Sequence, residues 1–593
     1  MRCSGTFGSV ARAREEAAGG GGASPLERPL WVACALAAAS LVLSAWMLGY
    51  RVPPSDEGAV LTQAARILDG GVYYRDIDAY PLPGASYLLA LALALFGEHV
   101  AVARSLAALV FAVVVVSLYA AALRVVSPRR AALFGAALLG LKCLAWPAFT
   151  SFLYADVAFA LACVSVALLV RHAHRGPTLA LVAAGASAGA ALLCKQTVGM
   201  YLAAASAALL LMPQGLLGIG RRPWGARLRE AGAYALGAVL PLAPPVAYFS
   251  SEGVLDRMIY SGFVRPFTAY LPTSGISFWA PLRWWETGTL DFAQLLPYSI
   301  EPLWQMLRTN ALPFAALRPL YSIAGEIVSR ALYTSVPIAF AGLAVLWVRR
   351  RRAGTLASER ALLAFGVLAG AVFLSAFPRA DFSHVIVVYP MVALLLMALA
   401  GRPARAGLGD AGRARWRRAE RVALGVGLCA SFGLTAWQHT LLTHRMRLER
   451  ADLWISPENA YTESIVRYVR KTVPAGEPIF VFVHEAHVYF LADRYSPWPF
   501  VQLYPGMTGR GGGEDVVAAL ERDPPRLVVS SLIGAPGLPP LAEYAPRLAQ
   551  HLGRSYVRDP RAFREYPPAG GVAYETVLKP VPEELRAGRA GAR

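Results

Sequence analysis

The chain has 593 residues, 56% hydrophobic and 16% charged, with a formal net charge of +19. Soluble domains are near half apolar and about a quarter charged, so this is the composition of a membrane protein. The apolar residues gather in stretches of about 17 to 25, enough to cross about 30 Å of hydrocarbon as helix, without the period-two alternation of a β-barrel. A nucleic-acid partner would require the positive charge to lie on one soluble face. Much of it falls instead in short loops between apolar segments, which reads as membrane topology.

Residues 1–28 are rich in Gly and Arg and read as a disordered cytoplasmic tail. Apolar spans follow at 30–50, 101–123, 131–147, 152–170, 178–193, 196–212, 231–250, 331–348, 360–377, 384–400 and 421–441. Basic clusters stand at Arg124/Arg129/Arg130, Arg171/Arg175, Arg221/Arg222/Arg227/Arg229, Arg349 to Arg352 and along 402–421, while the alternate loops at 146–153, Lys195 and 378–384 carry little charge. One orientation satisfies all of these, with the N-terminus inside and the C-terminal region outside. The apolar stretch 81–96 would invert that scheme if it crossed fully, so it reads as an in-plane or re-entrant outer segment. A further dip at 292–317 would raise the count, giving about 11 to 13 spans.

Three regions then lie outside: the loop 51–80, extending to 97; the aromatic loop 251–330, with Trp279, Trp284, Trp285 and Trp304 suited to head-group depth; and the tail from 443. In the tail, 461–471 and 514–521 read as helices and 478–483 and 526–531 as strands, a small α/β domain. No cysteine follows Cys429, so this part has no disulfide and no thiolate metal site. His484-Glu485-Ala486-His487 lacks the His-Glu-x-x-His spacing of a zinc protease and reads as a loop or helix start. The fold expected is thus a polytopic α-helical membrane protein with a small C-terminal extracytoplasmic α/β domain, divided 1–28, 29–442 and 443–593. Alanine/arginine-rich usage and cysteine-free outer parts suit a bacterial inner membrane, the C-terminal domain being periplasmic.

The ionisable residues most expensive to place idly lie in the outer loops. Asp56 and Glu57 follow the first span and precede an apolar helix, 59–68; Arg75, Asp76 and Asp78 return within about 20 residues of them. An acidic pair in the first turn of a helix is also a common stabilising feature without chemistry. Asp156 stands near the start of the fourth span, and Lys195-Gln196 break an apolar stretch at a turn on the same side. Arg379, Asp381 and His384 crowd another short outer turn, suited either to phosphate binding or to a self-satisfied ion pair.

This pattern resembles the GT-C membrane glycosyltransferases, especially the protein O-mannosyltransferase and aminoarabinose-transferase group. Asp56-Glu57-Gly58 after the first span, residues 70–76, the Pro-rich 80–87, Phe96-Gly97, Ala103-Arg104 and Asp156 carry the resemblance, which extends over roughly 30–400. It implies a polyprenyl-phosphate-linked sugar donor, a catalytic carboxylate in the first outer loop, an active-site acid at Asp156 and a membrane-associated outer helix at 81–96. Catalysis would then fall to Asp56, Glu57 and Asp156, with Asp56 as the base. Arg75, Asp76, Asp78, Lys195, Gln196, Arg379, Asp381 and His384 would bind substrate or its phosphate. The aminoarabinose transferases carry a lysine before the proline that opens the in-plane helix, where this chain has Tyr80. Asp56 and Asp156 are two hard oxygen ligands that a divalent cation could share, which does not make a metal site; the resemblance implies no obligatory metal. The acceptor would be a lipid, glycan or protein, and membrane lipids the remaining partner. A lipid-linked glycan flippase or transporter is the alternative, but it predicts related halves and mid-membrane charges, and neither is evident.

Overall fold

Within hydrocarbon every backbone polar group must be satisfied inside its own segment, and the long apolar runs accordingly fold as helices. The computed structural model describes residues 29–172, 177–212, 223–271, 275–286, 295–296, 318–400, 409–482, 485–509, 511–531, 539–568 and 575–581. The expected tail 1–28, Trp304, His484 and, apart from Leu295 and Leu296, the segment 292–317 lie outside the described residues.

In chain order the helices are α1 (Pro29–Met47), α2 (Ser55–Leu68), α3 (Gly84–Phe96), α4 (Val100–Val125), α5 (Pro128–Ala145), α6 (Tyr154–His172), α7 (Thr178–Cys194) and α8 (Gln196–Leu211). There follow α9 (Trp224–Val239), α10 (Ala243–Ser251), α11 (Leu255–Ile259) with π-helical turns at Tyr260–Val264 and Pro266–Tyr270, α12 (Arg318–Arg352), α13 (Arg360–Phe373), α14 (Phe382–Ala400) and α15 (Asp410–Thr440). Among the described residues, seven helical stretches are long and apolar enough to cross a membrane, or up to eight if the pair α9–α10, bent by 42°, is one span. The remaining expected spans are helices too. However, α7 and α8 have only 17 and 16 residues, and α5 carries Arg129, Arg130 and Lys142. The outer segment α3 has 13 residues, about 20 Å of helix, too short to cross alone.

Small residues let these helices approach closely. A Cβ on Gly185 or Gly189 would sit 2.0 Å from Tyr234 O and 2.1 Å from Ala238 O, so α7 and α9 pack backbone to backbone. At one end of the bundle, Arg130 pairs with Glu420 between α5 and α15, and His172 lies 3.7 Å from Glu230 between α6 and α9. At the opposite end sit the N-termini of α2, α4 and α6 and the whole C-terminal region.

That region begins with a hairpin, β1 (His444–Leu448) and β2 (Ala451–Ile455), absent from the sequence reading. Next come α16 (Tyr461–Thr472), β3 (Phe480–Phe482), α17 (His487–Ala492), α18 (Glu514–Arg522), β4 (Val528–Ser531), α19 (Leu541–Tyr544), α20 (Pro546–Ser555), β5 (Tyr556–Arg558), α21 (Arg561–Glu565) and β6 (Glu575–Pro580). The sheet runs β3-β4-β6-β5, with β3 and β4 parallel and the other pairs antiparallel.

The C-terminal region is stitched to the first outer loop. Trp454 N–H donates to Gly49 O at 2.7 Å, and Arg51 N–H to Trp454 O at 2.8 Å, extending the hairpin onto the exit from α1. Thr62 Oγ1 donates to Ala486 O at 2.9 Å and Arg66 to Ser496 O at 2.9 Å. A Cβ on Gly58 would lie 2.4 Å from His487 N, so α2 and α17 touch where only glycine fits.

Inside this region Asp559 receives two bonds from the Arg561 guanidinium, at 3.0 and 2.9 Å, and one from Tyr468 Oη at 2.8 Å. The Arg561 bonds, with Tyr468, outweigh burial and hold the carboxyl at about 2. A carboxyl depressed in the folded state adds stability that is present above its unfolded pKa, about 4, and lost as pH falls through the folded one. We therefore expect the thermal stability of the C-terminal region to drop between pH 4 and 2. Asp559→Asn should shrink that drop, as read by circular dichroism melts of the two proteins.

Candidate active site

Pro53 and Pro54 prevent helix from restarting until Ser55, so Ser55, Asp56 and Glu57 form the first turn of α2. No side chain caps this end, and the two acids face the positive end of the helix dipole. Adjacent residues on a helix point about 100° apart, and here that sends the two carboxylates to different fates.

Glu57, expected to share catalysis with Asp56, is fully buried. Its oxygens accept from Arg104 at 3.0 and 3.3 Å and from Phe152 N–H at 3.0 Å. Arg104, on α4, also donates to the carbonyls of Leu48 (2.9 Å), Tyr50 (2.8 Å) and Arg51 (3.1 Å). We assign Glu57 to the scaffold: with Arg104 it ties together the exit from α1, the start of α2 and the 146–153 loop.

Asp56 stays half-buried, with one oxygen accepting from Gln502 Nε2 at 3.1 Å. Asp156, on the first turn of α6, is buried, and neither of its carboxylate oxygens has a hydrogen-bond partner among the described residues. The positive charges that act on it are Lys142 and Lys195. Lys195 occupies the extended break between α7 and α8 (φ −146°, ψ 105°), and the charges of Asp381, Asp156 and Asp56 all act on it. The structure thus gathers three of the sequence-predicted acids around one lysine. Lys142, on α5, adds a second cation that the sequence reading did not single out. It lies 4.5 Å from the Phe111 ring centre and donates to Phe149 O.

The turn before α14 is closed on itself. Asp381 accepts from Arg379 at 2.7 Å and from Ser383 at 2.6 Å, and His384 Nδ1 lies 2.6 Å from it. Burial works against its ionisation, but His384, Ser383 and Arg379 outweigh burial and hold Asp381 well below the usual carboxylate range. The turn therefore keeps Asp381 ionised, and its charge acts on Lys195. Gln196 is spent on backbone, donating to Tyr80 O at 2.9 Å and Gly262 O at 2.7 Å.

Arg75, Asp76 and Asp78 are not brought into this cluster. They border a separate cavity of about 1140 Å³ between the first outer loop, the π-helical turns and the C-terminal region. Arg75 pairs with Asp76 and Glu252 at 3.3 and 3.2 Å. Asp78 pairs with Arg265 at 2.9 Å, although burial outweighs that pair and pushes its carboxyl up. Arg265 lies over the Tyr260 and Phe500 rings. Tyr80, which stands where the aminoarabinose transferases carry lysine, donates to Pro505 O at 2.8 Å. Among the described residues, no group of three or more His, Cys, Asp or Glu side chains comes together as a metal site.

Residues 80–243 match the family model described as dolichyl-phosphate-mannose-protein mannosyltransferase. This accords with the GT-C resemblance carried by the first outer loop. No curated protein matches the chain. Similar solved structures include the archaeal oligosaccharyltransferase AglB from Archaeoglobus fulgidus, in complex with an inhibitory peptide and a dolichol-phosphate. It is 12% identical, with a TM-score of 0.47 over 85% of this chain and 69% of that one. Another is ArnT from Cupriavidus metallidurans bound to undecaprenyl phosphate, 17% identical, with a TM-score of 0.44 over 94% of this chain and 99% of that one.

Arg104→Met would strand a buried carboxylate, and breaking such a pair from one side costs about 3–5 kcal/mol. We expect a marked fall in the unfolding temperature of the detergent-solubilised protein. Glu57→Gln added to Arg104→Met should recover part of the loss.

Proposed function

We propose that the chain is an integral-membrane glycosyltransferase. It moves a sugar from a polyprenyl-phosphate donor to a lipid, glycan or protein acceptor on the extracytoplasmic face, by direct displacement with inversion. The observation that carries this reading is the cluster itself: a half-buried carboxylate, Asp56, electrostatically joined to a lysine at a helix break. The family-model match over 80–243, to enzymes named for a dolichyl-phosphate sugar, supports the donor class.

Asp56 takes the proton from the acceptor hydroxyl or amine as that atom attacks the anomeric carbon. The bond from that carbon to the phosphate oxygen breaks on the opposite face, and its electron pair leaves with the polyprenyl phosphate. Lys195 holds the charge that develops there, with Lys142 adding to the positive field. Asp156 acts on the charges of both lysines without a direct bond to either. A single base with a phosphate leaving group needs no second carboxylate nucleophile, so one displacement inverts the centre. In this reading residues 29–442 form the catalytic domain, 443–593 lie outside the bacterial inner membrane, and the enzyme serves the cell envelope.

The test is release of lipid phosphate from a labelled undecaprenyl-phosphate sugar by purified protein with acceptor extract. Asp56→Asn is expected to lower transfer by about 10³-fold or more, since it removes the base itself. An Asp56→Asn protein with full activity would overturn the assignment. Lys195→Met should lower kcat by about 10²-fold through lost stabilisation of the leaving phosphate; unchanged kcat would move the phosphate contact to another cation.

A further inference from the structure

The strap from Trp498 to Met507 in the C-terminal region is pinned at both ends and in the middle. Trp498 Nε1 donates to Met507 O at 2.8 Å, Tyr544 Oη to Leu503 O at 2.7 Å, and Tyr80 Oη to Pro505 O at 2.8 Å. Asp78 N–H donates to Pro499 O at 2.9 Å. Gly506 turns the strap at φ +85°, and a Cβ there would sit 2.3 Å from the Ala269 side chain. Every one of these anchors lies outside the Asp56 cluster, yet together they deliver one polar side chain to it.

That side chain is Gln502. Its Nε2 lies 2.7 Å from Ser55 Oγ and 3.1 Å from Asp56 Oδ1, and Tyr504 Oη is 3.5 Å from both Ser55 Oγ and Gln502 Nε2. An amide nitrogen carries two hydrogens, so Ser55 and Asp56 can each accept one. We propose that Gln502 is a positioning residue for the transfer reaction: its amide fixes the Asp56 carboxylate by one oxygen and leaves the other facing the acceptor. This rests on the reading of Asp56 as the base. The C-terminal region is then part of the catalytic apparatus, because without the docked strap the base turns freely about its own side-chain bonds. The physical scale is large, since misplacing a reacting group by about 1 Å costs on the order of 10²-fold in rate.

The experiment uses the full-length protein, with steady-state transfer from an undecaprenyl-phosphate sugar. Gln502→Met keeps the volume and removes both N–H donors; Gln502→Asn keeps the amide but withdraws it by one methylene, and serves should the Met variant fold poorly. Both are expected to lower kcat by about ten- to a hundredfold while leaving KM for the lipid donor within about twofold. A strap that only supported the fold would tolerate Met, and would not separate kcat from KM in this way. If the Met and Asn variants keep kcat within about twofold of the parent while Asp56→Asn is inactive, the positioning role is overturned and the proposed function stands. If Asp56→Asn is itself fully active, the assignment of the base falls, and the role of Gln502 with it.

Discussion

The ion pair between Arg104 and Glu57 is the constraint on which the rest of the site depends. Desolvating two charges is costly, and a well-packed apolar pair of the same size would often be as stable. What such a pair would lack is reach. One guanidinium bonds three carbonyls of the chain leaving α1 and both oxygens of Glu57, and Glu57 in turn takes the amide of Phe152. Four separate pieces of backbone are thereby registered against one another at the end of the bundle. Asp56 and Asp156 ride on two of those pieces.

Around that frame the buried charges stand near charges of opposite sign. Asp156 lies between two lysines, Lys195 among three carboxylates, and Asp381 is satisfied within its own turn. Charges held this way interact more strongly than they would in water, since the surrounding medium screens them poorly. In the proposed reaction, a phosphate arriving there would meet cations already in place.

Much of this was legible from sequence, for reasons that differ by element. The long apolar runs could only be helices, and the arginine clusters between them kept 84–96 from being counted as a span. Its 13-residue length agrees. Lys195 announced itself as a charge in an apolar stretch. Lys142 gave the same local signal inside α5 and was passed over, because its partner Asp156 lies on another helix. Neighbouring Asp56 and Glu57 could not be told apart, since the deciding contact is with Arg104, 47 positions away from Glu57. Gln502 is a lone polar side chain in an apolar, proline-flanked strap, 498–507, and only the tertiary fold connects it to Asp56. The hairpin at 444–455 escaped for a related reason: part of its pairing is with the exit of α1 rather than with a strand of its own region.

The stitching of the first outer loop to the C-terminal region also imposes an order in time. Thr62, Arg66 and Asp56 meet partners 424, 430 and 446 residues downstream. At ordinary rates of synthesis, about 5–20 residues per second, that separation corresponds to roughly 20–90 s. Over such a distance the entropic cost of closing the loop is hardly greater than over half of it, so the delay, rather than the length, is the physical consequence. The membrane helices can be in place while Ser55 and Asp56 still await the residues that hold them. A nascent chain therefore holds Asp56 in an unfinished setting, and the setting closes only when the C-terminal region folds down upon it.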